Sequence, residues 1–452
     1  MDHLLWIFMH TLPLPARIAA ELREQITHGV YRPKEKLPST RALAHRLGVA
    51  RGSVVTAYEQ LIAEGYLVGQ HGSGTRVHPD ISPAPPRPAP AQPAPEEKAA
   101  LLQLTPGLPD TARLITPAWR AAWRSAAAGA SQLTEQAPAG LAELRREIAA
   151  HLRHMRGLNV DPARIMVTAG AREGLGLLLR AVGGRLRVGV ESPGYPSLRQ
   201  IPPALGHALV ELPTDDHGLR VPTGLPGGGL DLALITPSHQ YPYGGSLPAA
   251  RRTELVAFAR RHDVLLVEDD FDSELRYAGQ PLPALAALGP EQAVLLGTFS
   301  SVISPSIACG YLVVPDRLIA PIRQVRAVTG QPVAAITQAA LAKFLASGEL
   351  RRHTGRVRRD YRRRRDLVVS ALGPAVRPIS GGLHAVVICT RPAREVVAAA
   401  AERGLAVTAL TDYWGGTAAD NGIVIGFGHL SDAELASALN VFQEILGQSP
   451  AD

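Results

Sequence analysis

The run LPSTRALAHRLGVARGSVVTAYEQLIAEGYLVGQHGSGTRV, residues 37–77, decides the fold of the first part of the chain. Ser39 follows a proline and precedes apolar residues at helical spacing, as a helix N-cap does. Gly48 ends this helix, a second helix is predicted over about residues 50–64, and Gly65 ends it. Two short strand-like pieces around residues 72–74 then predict a hairpin.

Another helix is predicted before this run. Ile18, Leu22 and Ile26 recur every four residues and form one apolar stripe, and Gly29 follows as a stop. Helix, short helix, glycine turn, helix and hairpin is the layout of an α+β winged helix-turn-helix domain. In that layout, the N-terminal residues of the helix after the turn face base edges in the major groove of DNA.

The same run resembles the DNA-binding domain of GntR-type regulators. The signature of that family is LPS-x-R, LGV-x-R, a helix ending in AEGYL and a glycine wing, and the match covers nearly all of residues 14–78. The resemblance implies DNA contacts on the two helices and the wing, at Arg41, Arg51, Ser53, His71 and Gly72. At position 52 the family usually has a larger residue than the glycine found here, so no contact is assigned there.

A Pro-rich segment over residues 79–100 separates two parts of the chain, and its core reads ISPAPPRPAPAQPAPEEKAA. Such a segment lacks the backbone donors of a helix or sheet and is predicted to be an extended linker. An internal loop of one domain is the alternative. At about 3.1 Å per residue the linker spans at most roughly 70 Å. The predicted organisation is a winged domain, a linker, a large subdomain, and a connecting helix with a small subdomain: 1–78, 79–100, 101–330 and 331–452.

Composition excludes several protein classes. The chain has 452 residues, 46% hydrophobic and 19% charged, which is typical of a globular protein. Two cysteines are too few for a disulfide scaffold, and the apolar stretch at residues 4–9 is too short to span a membrane. We therefore predict a cytoplasmic protein with no membrane partner and no metal site. The net charge, 47 − 40 = +7, does not by itself indicate nucleic acid.

Residues 101–450 alternate apolar strand-like runs with helical stretches, which predicts an α/β domain with a mostly parallel sheet. Ligand sites gather where the strands of such a sheet end. A small-residue turn before a helix, as in VTAGAREGLGLLL (167–179), can hold a phosphate on its backbone amides. Polar or turn residues follow four further apolar runs: LRVGVESPGYP, LDLALITPSHQYPYGG, DVLLVEDDFDSELRY and QAVLLGTFSS.

The ordered set resembles the fold-type I aminotransferases that bind pyridoxal 5′-phosphate. It is most similar to the MocR subgroup, in which a GntR domain is fused to an aminotransferase-like domain. The resemblance implies a smaller C-terminal subdomain and a homodimer whose DNA-binding domain is swapped over the partner's large domain. The phrases that carry it run in family order: GLPD (107–110), WR (119–120), LRREIAAHL (144–152), VTAG (167–170), ESPGYP (191–196), TPSHQYPYG (236–244), EDDFDSELRY (268–277), GTFS (297–300) and CGYLVVP (309–315).

The resemblance also implies cofactor-binding residues. Asp269 matches the acid that pairs with the pyridinium nitrogen, and Tyr195 matches an aromatic residue that stacks on the ring. Either residue also has a structural interpretation, Asp269 as a cap or loop anchor and Tyr195 as part of the core. Phosphate contacts are implied at four positions: Gly170, Ala171, Thr298 and Ser300.

Three positions depart from the family pattern. The lysine that forms a Schiff base follows GTFS in the family, and here that residue is Ser301. The arginine that grips the cofactor phosphate is replaced by Ala308, and the tyrosine that bonds the ring hydroxyl is replaced by Phe271. Loss of one charged hydrogen bond, worth about 1.5–3 kcal/mol, lowers affinity roughly ten- to a hundredfold. The chain has only four lysines: Lys34, Lys36, Lys98 and Lys343.

These features predict a transcriptional regulator that binds double-stranded operator DNA as a homodimer and responds to an unknown small-molecule effector. Because serine cannot form an imine, we assign no catalytic residue, and any pyridoxal 5′-phosphate is predicted to bind non-covalently. Two alternatives are an aminotransferase-class enzyme, which Ser301 opposes, and a ligand-independent DNA-binding dimer. The basic run RRHTGRVRRDYRRRRD (351–366) is interpreted as a solvated helix face, with contact to DNA phosphates as the alternative.

Overall fold

The structure is a computed structural model that describes residues 13–70, 74–81, 101–129, 137–225, 228–277, 279, 282–416 and 418–447. The chain divides into two compact units, residues 1–97 and residues 98–452. The division falls within the Pro-rich segment predicted as a linker, of which residues 82–100 lie outside the described part. No helix among the described residues is long and apolar enough to cross a membrane.

The N-terminal unit consists, in its described part, of three helices and a hairpin: α1 (Leu14–Thr27), α2 (Thr40–Leu47), α3 (Arg51–Ala63), β1 (Leu67–Gln70) and β2 (Gly74–Val77). The predicted stripe of Ile18, Leu22 and Ile26 is buried in the core of this unit. The two strands pair antiparallel, with Leu67 opposite Val77. The prediction of an α+β winged helix-turn-helix domain is thus confirmed.

Local hydrogen bonds and one glycine set the geometry of the helix-turn-helix. The hydroxyl of Ser39 accepts a hydrogen bond from the backbone N–H of Ala42 at 3.2 Å, as predicted for an N-cap. Gly48 ends α2 with φ +65°, a left-handed conformation that favours glycine. The buried Tyr58 of α3 donates to the carbonyl of Pro38 at 2.8 Å, which fixes α3 against the start of α2.

The helices and strands of the C-terminal unit alternate along much of the chain. The strands are β3 (Leu102–Gln103), β4 (Ile165–Thr168), β5 (Arg187–Ser192), β6 (Ala208–Asp215), β7 (Gly218–Leu219), β8 (Leu232–Ile235), β9 (Leu265–Asp270), β10 (Ala293–Thr298), β11 (Gly310–Val313), β12 (His384–Ile388), β13 (Leu405–Ala406), β14 (Thr408–Ala409) and β15 (Gly422–Gly426). The α-helices are α4 (Pro117–Ala128), α5 (Ala142–Arg156), α6 (Ala171–Val182), α7 (Pro196–Arg199), α8 (Ile201–Ala204), α9 (Ala249–His262), α10 (Leu285–Leu288), α11 (Asp316–Thr329), α12 (Ala335–Ala346), α13 (Glu349–Leu372), α14 (Ala393–Glu402) and α15 (Asp432–Leu446).

Eight strands form one sheet in the order β4-β11-β10-β9-β8-β5-β6-β7. Strands β10, β9, β8, β5 and β6 pair parallel, while β11 and β7 are antiparallel to their neighbours. The sheet is therefore mostly parallel, and the predicted fold-type I, aminotransferase-like α/β domain is confirmed. Strands β8, β9 and β10 are fully buried apart from the half-buried Thr298, so their apolar residues follow one another without alternation, and β9 ends in three acids.

Helices cover both faces of this sheet. Leu266 of β9 faces a core that includes Leu144 of α5 and Phe344 of α12. Val267, one residue later, faces the opposite core with Leu178 of α6. This alternation follows from the period of two along a strand, and it gives a helix–sheet–helix sandwich.

A smaller core lies at the C-terminal end of the unit. Strands β12, β15 and β14 form an antiparallel sheet that packs with α13, α14 and α15. Residues 102–103 also belong here, because β3 pairs with β13 and Leu104 is buried in the same core. By contrast α12, which the sequence grouped with this subdomain, packs in the core of the large sheet through Leu341 and Phe344.

Both cysteines of the chain are free thiols. Cys309 precedes β11 and Cys389 follows β12, and both are buried. Burial raises the pKa of the Cys309 thiol to about 12. Neither thiol is therefore disposed to react.

Candidate functional site

A cleft of about 400 Å³ opens at the carboxyl edge of the large sheet. Strands β4, β9 and β10 run in the same direction, so the residues that end them or follow them meet at this edge. All the cofactor-binding residues predicted from sequence line this one cleft, and so does the residue at the expected lysine position: Gly170, Ala171, Tyr195, Asp269, Thr298, Ser300 and Ser301. The structure thereby brings together residues from four separate segments of the chain.

Asp269 lies at the buried side of the cleft. It is the middle of three consecutive acids near the end of β9, and alternation along the strand directs its two neighbours to the opposite face. There the guanidinium of Arg156 donates to Glu268 at 2.7 Å and also bonds Asp270. Among the described residues, Asp269 has no such partner, and its Oδ1 atom makes no hydrogen bond.

The surroundings of Asp269 favour its protonated form or a cationic partner. Burial raises the pKa of Asp269 well above its usual range, and repulsion from Asp270, Asp272, Glu191 and Glu268 raises it further. A buried carboxyl oxygen without a partner is costly unless a ligand or water satisfies it. Since this oxygen belongs to a cleft-lining residue, the cleft fits a group that donates a hydrogen bond or carries a proton, such as a ring nitrogen.

Glu191 is a second buried carboxyl group close to Asp269. Both residues line a small cavity of about 20 Å³ beside the cleft, which is roughly the space of one water molecule. Glu191 accepts hydrogen bonds from the backbone N–H of Thr236 at 3.1 Å and from its hydroxyl. Burial, the larger effect, raises the pKa of Glu191 to about 7. Glu191 lies in the family phrase ESPGYP, and no role was predicted for it from the sequence.

The turn between β4 and α6 supplies backbone N–H groups. Ala169, Gly170 and Ala171 all line the cleft, and Gly170 adopts φ +89° immediately before the helix begins. The first N–H groups of a helix have no partner within it and carry its partial positive charge. Gly310 of β11 passes so close that a Cβ atom there would lie 3.0 Å from the Cα atom of Gly170. This arrangement fits a phosphate or another anion.

The residues after β10 line the same cleft. Thr298 donates from its hydroxyl to the hydroxyl oxygen of Ser300 at 2.9 Å, and it accepts from the Ser300 backbone N–H at 3.1 Å. Ser301 is buried yet lines the cleft. Of the described residues that line the cleft, none is a lysine. Lys343 lies in the last turn of α12 and is not among them.

Aromatic rings form one wall of the cleft. Tyr195 stands edge-on to Tyr241, with ring centroids 5.1 Å apart, and Tyr241 stands edge-on to Phe271 at 5.6 Å. Tyr195 was predicted from sequence, whereas Tyr241 was not, although it lies in the quoted phrase TPSHQYPYG. The signal that would have found it is its place after β8, on the same edge as the residues that follow β9 and β10.

The two other departures from the family pattern also fall on the cleft. Phe271 and Ala308 line it, so a ring hydroxyl donor and a cationic side chain are missing where the resemblance would have placed them. Ala308 adopts φ +44° after the turn Pro305–Ile307. The one arginine among the described lining residues is Arg172, an exposed side chain that donates to the hydroxyl of Ser197 at 2.9 Å.

Three of the five predicted DNA-contacting residues lie in the described part of the winged unit. Arg41 is exposed in the first turn of α2, and Arg51 is exposed where α3 begins. The Nε atom of Arg51 donates to the hydroxyl of Thr40 at 3.4 Å, which sets it beside the start of α2. Ser53 is half-buried in the first turn of α3. His71 and Gly72 lie outside the described residues.

The basic run 351–366 lies within α13 and is not uniformly solvated. Arg364 is buried and bonds Asp110 at 2.9 Å and Asp432 at 3.2 Å. Several other arginines of the run pair with acids. Among the described residues, no ion-pair or hydrogen-bond partner is found for three of them: Arg351, Arg358 and Arg359. Part of this run therefore stabilises the fold, and part is free on the surface.

Comparison with known families gives two matches along the chain. The family described as bacterial regulatory proteins, gntR family, matches residues 14–77. The family described as aminotransferase class I and II matches residues 100–415. The two matches fall on either side of the Pro-rich segment.

Two similar proteins are named as regulators. The HTH-type pyridoxine biosynthesis transcriptional regulator PdxR of Corynebacterium glutamicum is 56% identical over 420 residues, which cover 92% of either chain. The probable rhizopine catabolism regulatory protein MocR of Rhizobium meliloti is 30% identical over 380 residues, or 79% of this chain and 77% of that protein.

Two solved structures with a similar fold are aminotransferases. The kynurenine aminotransferase of Pyrococcus horikoshii matches with a TM-score of 0.70 at 22% identity, over 78% of this chain and 92% of that chain. A variant of the Thermus thermophilus aspartate aminotransferase matches with a TM-score of 0.66 at 27% identity, over 76% and 96%. The first of these similarities concerns the fold alone.

Proposed function

The chain belongs to the MocR-type regulators of the GntR family, and we propose that it controls pyridoxine biosynthesis by sensing pyridoxal 5′-phosphate without a covalent bond. That it is a DNA-binding transcriptional regulator with an aminotransferase-like domain follows from the family. The regulated pathway is proposed because the PdxR relative named above is a regulator of pyridoxine biosynthesis. Because operator DNA is its partner, we place it in the cytoplasm.

The observation that carries the proposed binding mode is the lining of the cleft. The residues suited to a pyridine ring and a phosphate lie around it, while the position expected for a lysine is Ser301. A serine hydroxyl cannot replace an amine in forming an imine or in moving the substrate α-proton. When bound to an enzyme, the cofactor supplies an electron sink, but none of the described residues that line the cleft carries an amine with which to exploit it.

The chain's own residues would hold the ligand as follows. Asp269 would accept a proton-bearing ring nitrogen at its unpartnered oxygen. The N–H groups of Gly170 and Ala171 and the hydroxyls of Thr298 and Ser300 would bond the phosphate. The aromatic wall of Tyr195, Tyr241 and Phe271 would exclude water from one side of the ring.

On the DNA side, we propose that Arg41, Arg51 and Ser53 contact the operator, with His71 and Gly72 on the wing. Two exposed arginines beside the start of α3 suit a helix that enters the major groove by its N-terminus. We further propose a domain-swapped homodimer that binds paired half-sites. A ligand would alter operator affinity only if it binds one arrangement of the domains better than another.

The test is a titration of the purified full-length chain with pyridoxal 5′-phosphate, followed by absorbance and then by borohydride treatment and mass analysis. We expect saturable binding without a stable mass increase. Operator affinity, measured by gel shift with and without ligand, should then differ. A trapped adduct would contradict the non-covalent mode and return the enzyme alternative to consideration.

A second candidate function is a ligand-independent DNA-binding dimer. It is favoured by Ala308 and Phe271, which remove two contacts that the family uses to hold the cofactor. In that case the titration shows no binding, and operator affinity does not change when pyridoxal 5′-phosphate is added.

A further inference from the structure

The turn that carries Gly170 and Ala171 has an acid in its immediate surroundings. Glu173 lies in the first turn of α6, and its Oε2 atom accepts a hydrogen bond from the backbone N–H of Ala169 at 3.0 Å. Ala169 itself lines the cleft. A carboxylate in this place stabilises the start of the helix, but it also repels an anion that approaches the same N–H groups.

A buried arginine neutralises the negative charge of this acid. Arg326, near the end of α11, donates from Nη2 to Glu173 Oε2 at 2.8 Å. The side chain of Arg326 is 3% exposed and that of Glu173 is 28% exposed. Nη2 also donates to the carbonyl oxygen of Val167 at 3.4 Å, so the arginine bonds the end of strand β4, just before the anion-binding residues, as well.

Arg326 does not line the cleft and cannot bond the ligand directly. Its shorter contact beside the cleft is with Glu173, whose carboxylate it neutralises and whose position against Ala169 it fixes. The described cleft offers no other buried cation to offset that charge, since Arg172 is exposed. The buried, unpartnered oxygen of Asp269 in the same cleft is independent evidence that a ligand belongs here.

We propose that Arg326 is a positioning residue of the phosphate subsite, which keeps the N–H groups of Gly170 and Ala171 able to donate hydrogen bonds to a phosphate by cancelling the charge of Glu173. This inference rests on the proposed function, since it assumes that a phosphorylated pyridine occupies the cleft. The effect is specific to the phosphate end of the ligand, and this specificity distinguishes it from a general structural role.

The experiment compares two ligands that differ only in the phosphate, pyridoxal 5′-phosphate and pyridoxal, on the full-length chain. We expect Arg326→Met to weaken binding of the phosphorylated ligand by about tenfold, because it leaves a partly buried acid unpaired beside the anion. Binding of pyridoxal should change by no more than about twofold. Arg326→Lys keeps the positive charge and should retain most of the affinity for pyridoxal 5′-phosphate that Arg326→Met loses.

Glu173→Gln combined with Arg326→Met gives the sharper test. If the arginine acts by cancelling the acid, removing both charges restores much of the affinity that Arg326→Met alone loses. A merely structural arginine predicts the opposite, a double variant at least as impaired as the single one. Arg323→Met, an exposed arginine on the same helix, is the matched control and should leave both affinities unchanged.

Three results would overturn the inference in distinguishable ways. Equal losses for the two ligands, or no rescue in the double variant, would leave the proposed function standing and refute the role of Arg326. Absence of binding of both ligands by the unaltered chain would refute the ligand and the inference together. Pyridoxal affinity and a thermal unfolding curve show whether each variant is folded.

Discussion

At the scale of single residues, the cleft is defined by what each side chain can and cannot bond. Asp269 points to the opposite face of β9 from Glu268 and Asp270, and it therefore lacks the Arg156 partner that those two acids share. Ser301 keeps its place on the cleft but brings no amine to it. The chemistry that the cleft can support therefore depends mainly on the residues at positions 269 and 301.

Replacing Ser301→Lys should return the missing amine to the cleft. We expect this variant to give a borohydride-stable mass increase with pyridoxal 5′-phosphate, whereas the unaltered chain gives none. Ser347→Lys, an exposed position after α12, is the matched control. If both variants were modified equally, the adduct would report surface reaction, and the assignment of position 301 would be contradicted.

Glu191 gives the fold a definite dependence on pH. Its pKa is raised to about 7 by burial, so between about pH 4.5 and 7 the folded chain holds a proton that the unfolded chain has released. Stability from this group is therefore present at low pH and declines as pH rises through that window. The full effect is about 3 kcal/mol, at about 1.4 kcal/mol for each pH unit.

Glu191→Gln should remove this dependence. Denaturant unfolding at pH 5 and pH 8 should show the variant gaining about 3 kcal/mol relative to the unaltered chain at the higher pH. The same difference at both pH values would show that this carboxyl group is ionised or neutral throughout.

At the scale of elements, the helix-turn-helix could be predicted from the sequence because the signals that define it are local. A cap at Ser39, a glycine at Gly48 and a four-residue apolar spacing are each decided within one or two turns. The cleft could not be predicted in this way, because its residues come from distant parts of the chain. Its predicted residues came from a family resemblance, and physical reasoning alone gave only the carboxyl ends of the strands.

The sequence did not reveal contacts between residues on elements that are far apart along the chain. Arg326 lies 153 positions after Glu173, and β3 pairs with a strand about 300 residues later. No periodicity predicts such contacts, because they depend on the order of strands in the sheet and on which helices then lie side by side. Tyr241 was missed for the same reason, although its strand was recognised.

The N-cap of α2 should contribute measurably to the winged unit. Ser39→Ala removes the acceptor of the Ala42 N–H bond and should cost about 1 kcal/mol of unfolding free energy. Ser39→Asp keeps an acceptor and serves as the control. A loss of equal size in both variants, measured by denaturant unfolding, would show that the hydroxyl has another role.

At the scale of the whole molecule, the arginines of α13 determine whether the second unit also contacts DNA. Arg351, Arg358 and Arg359 of α13 have no acid partner in the described part of the chain, so they are free to remain solvated or to meet phosphates. Each lost phosphate contact would lower the salt slope of operator binding by about 0.9.

We expect the variant with all three arginines changed to alanine to bind the operator with an unchanged salt slope, because solvated charges release no counterions from DNA. Arg51→Ala, in the winged unit, should weaken binding markedly and serves as the positive control. Gel shifts over a series of salt concentrations measure both. A slope reduced by two or more in the triple variant would establish α13 as a DNA contact.

The burial of both thiols makes site-specific fluorescent labelling of this regulator straightforward. Since Cys309 and Cys389 are both shielded from solvent, a maleimide dye should leave the native chain unmarked. A single introduced thiol, for example Glu59→Cys on the exposed side of α3, would then take the label alone. Helix α3 could then be followed by fluorescence in the free and the operator-bound protein, without first replacing any native cysteine.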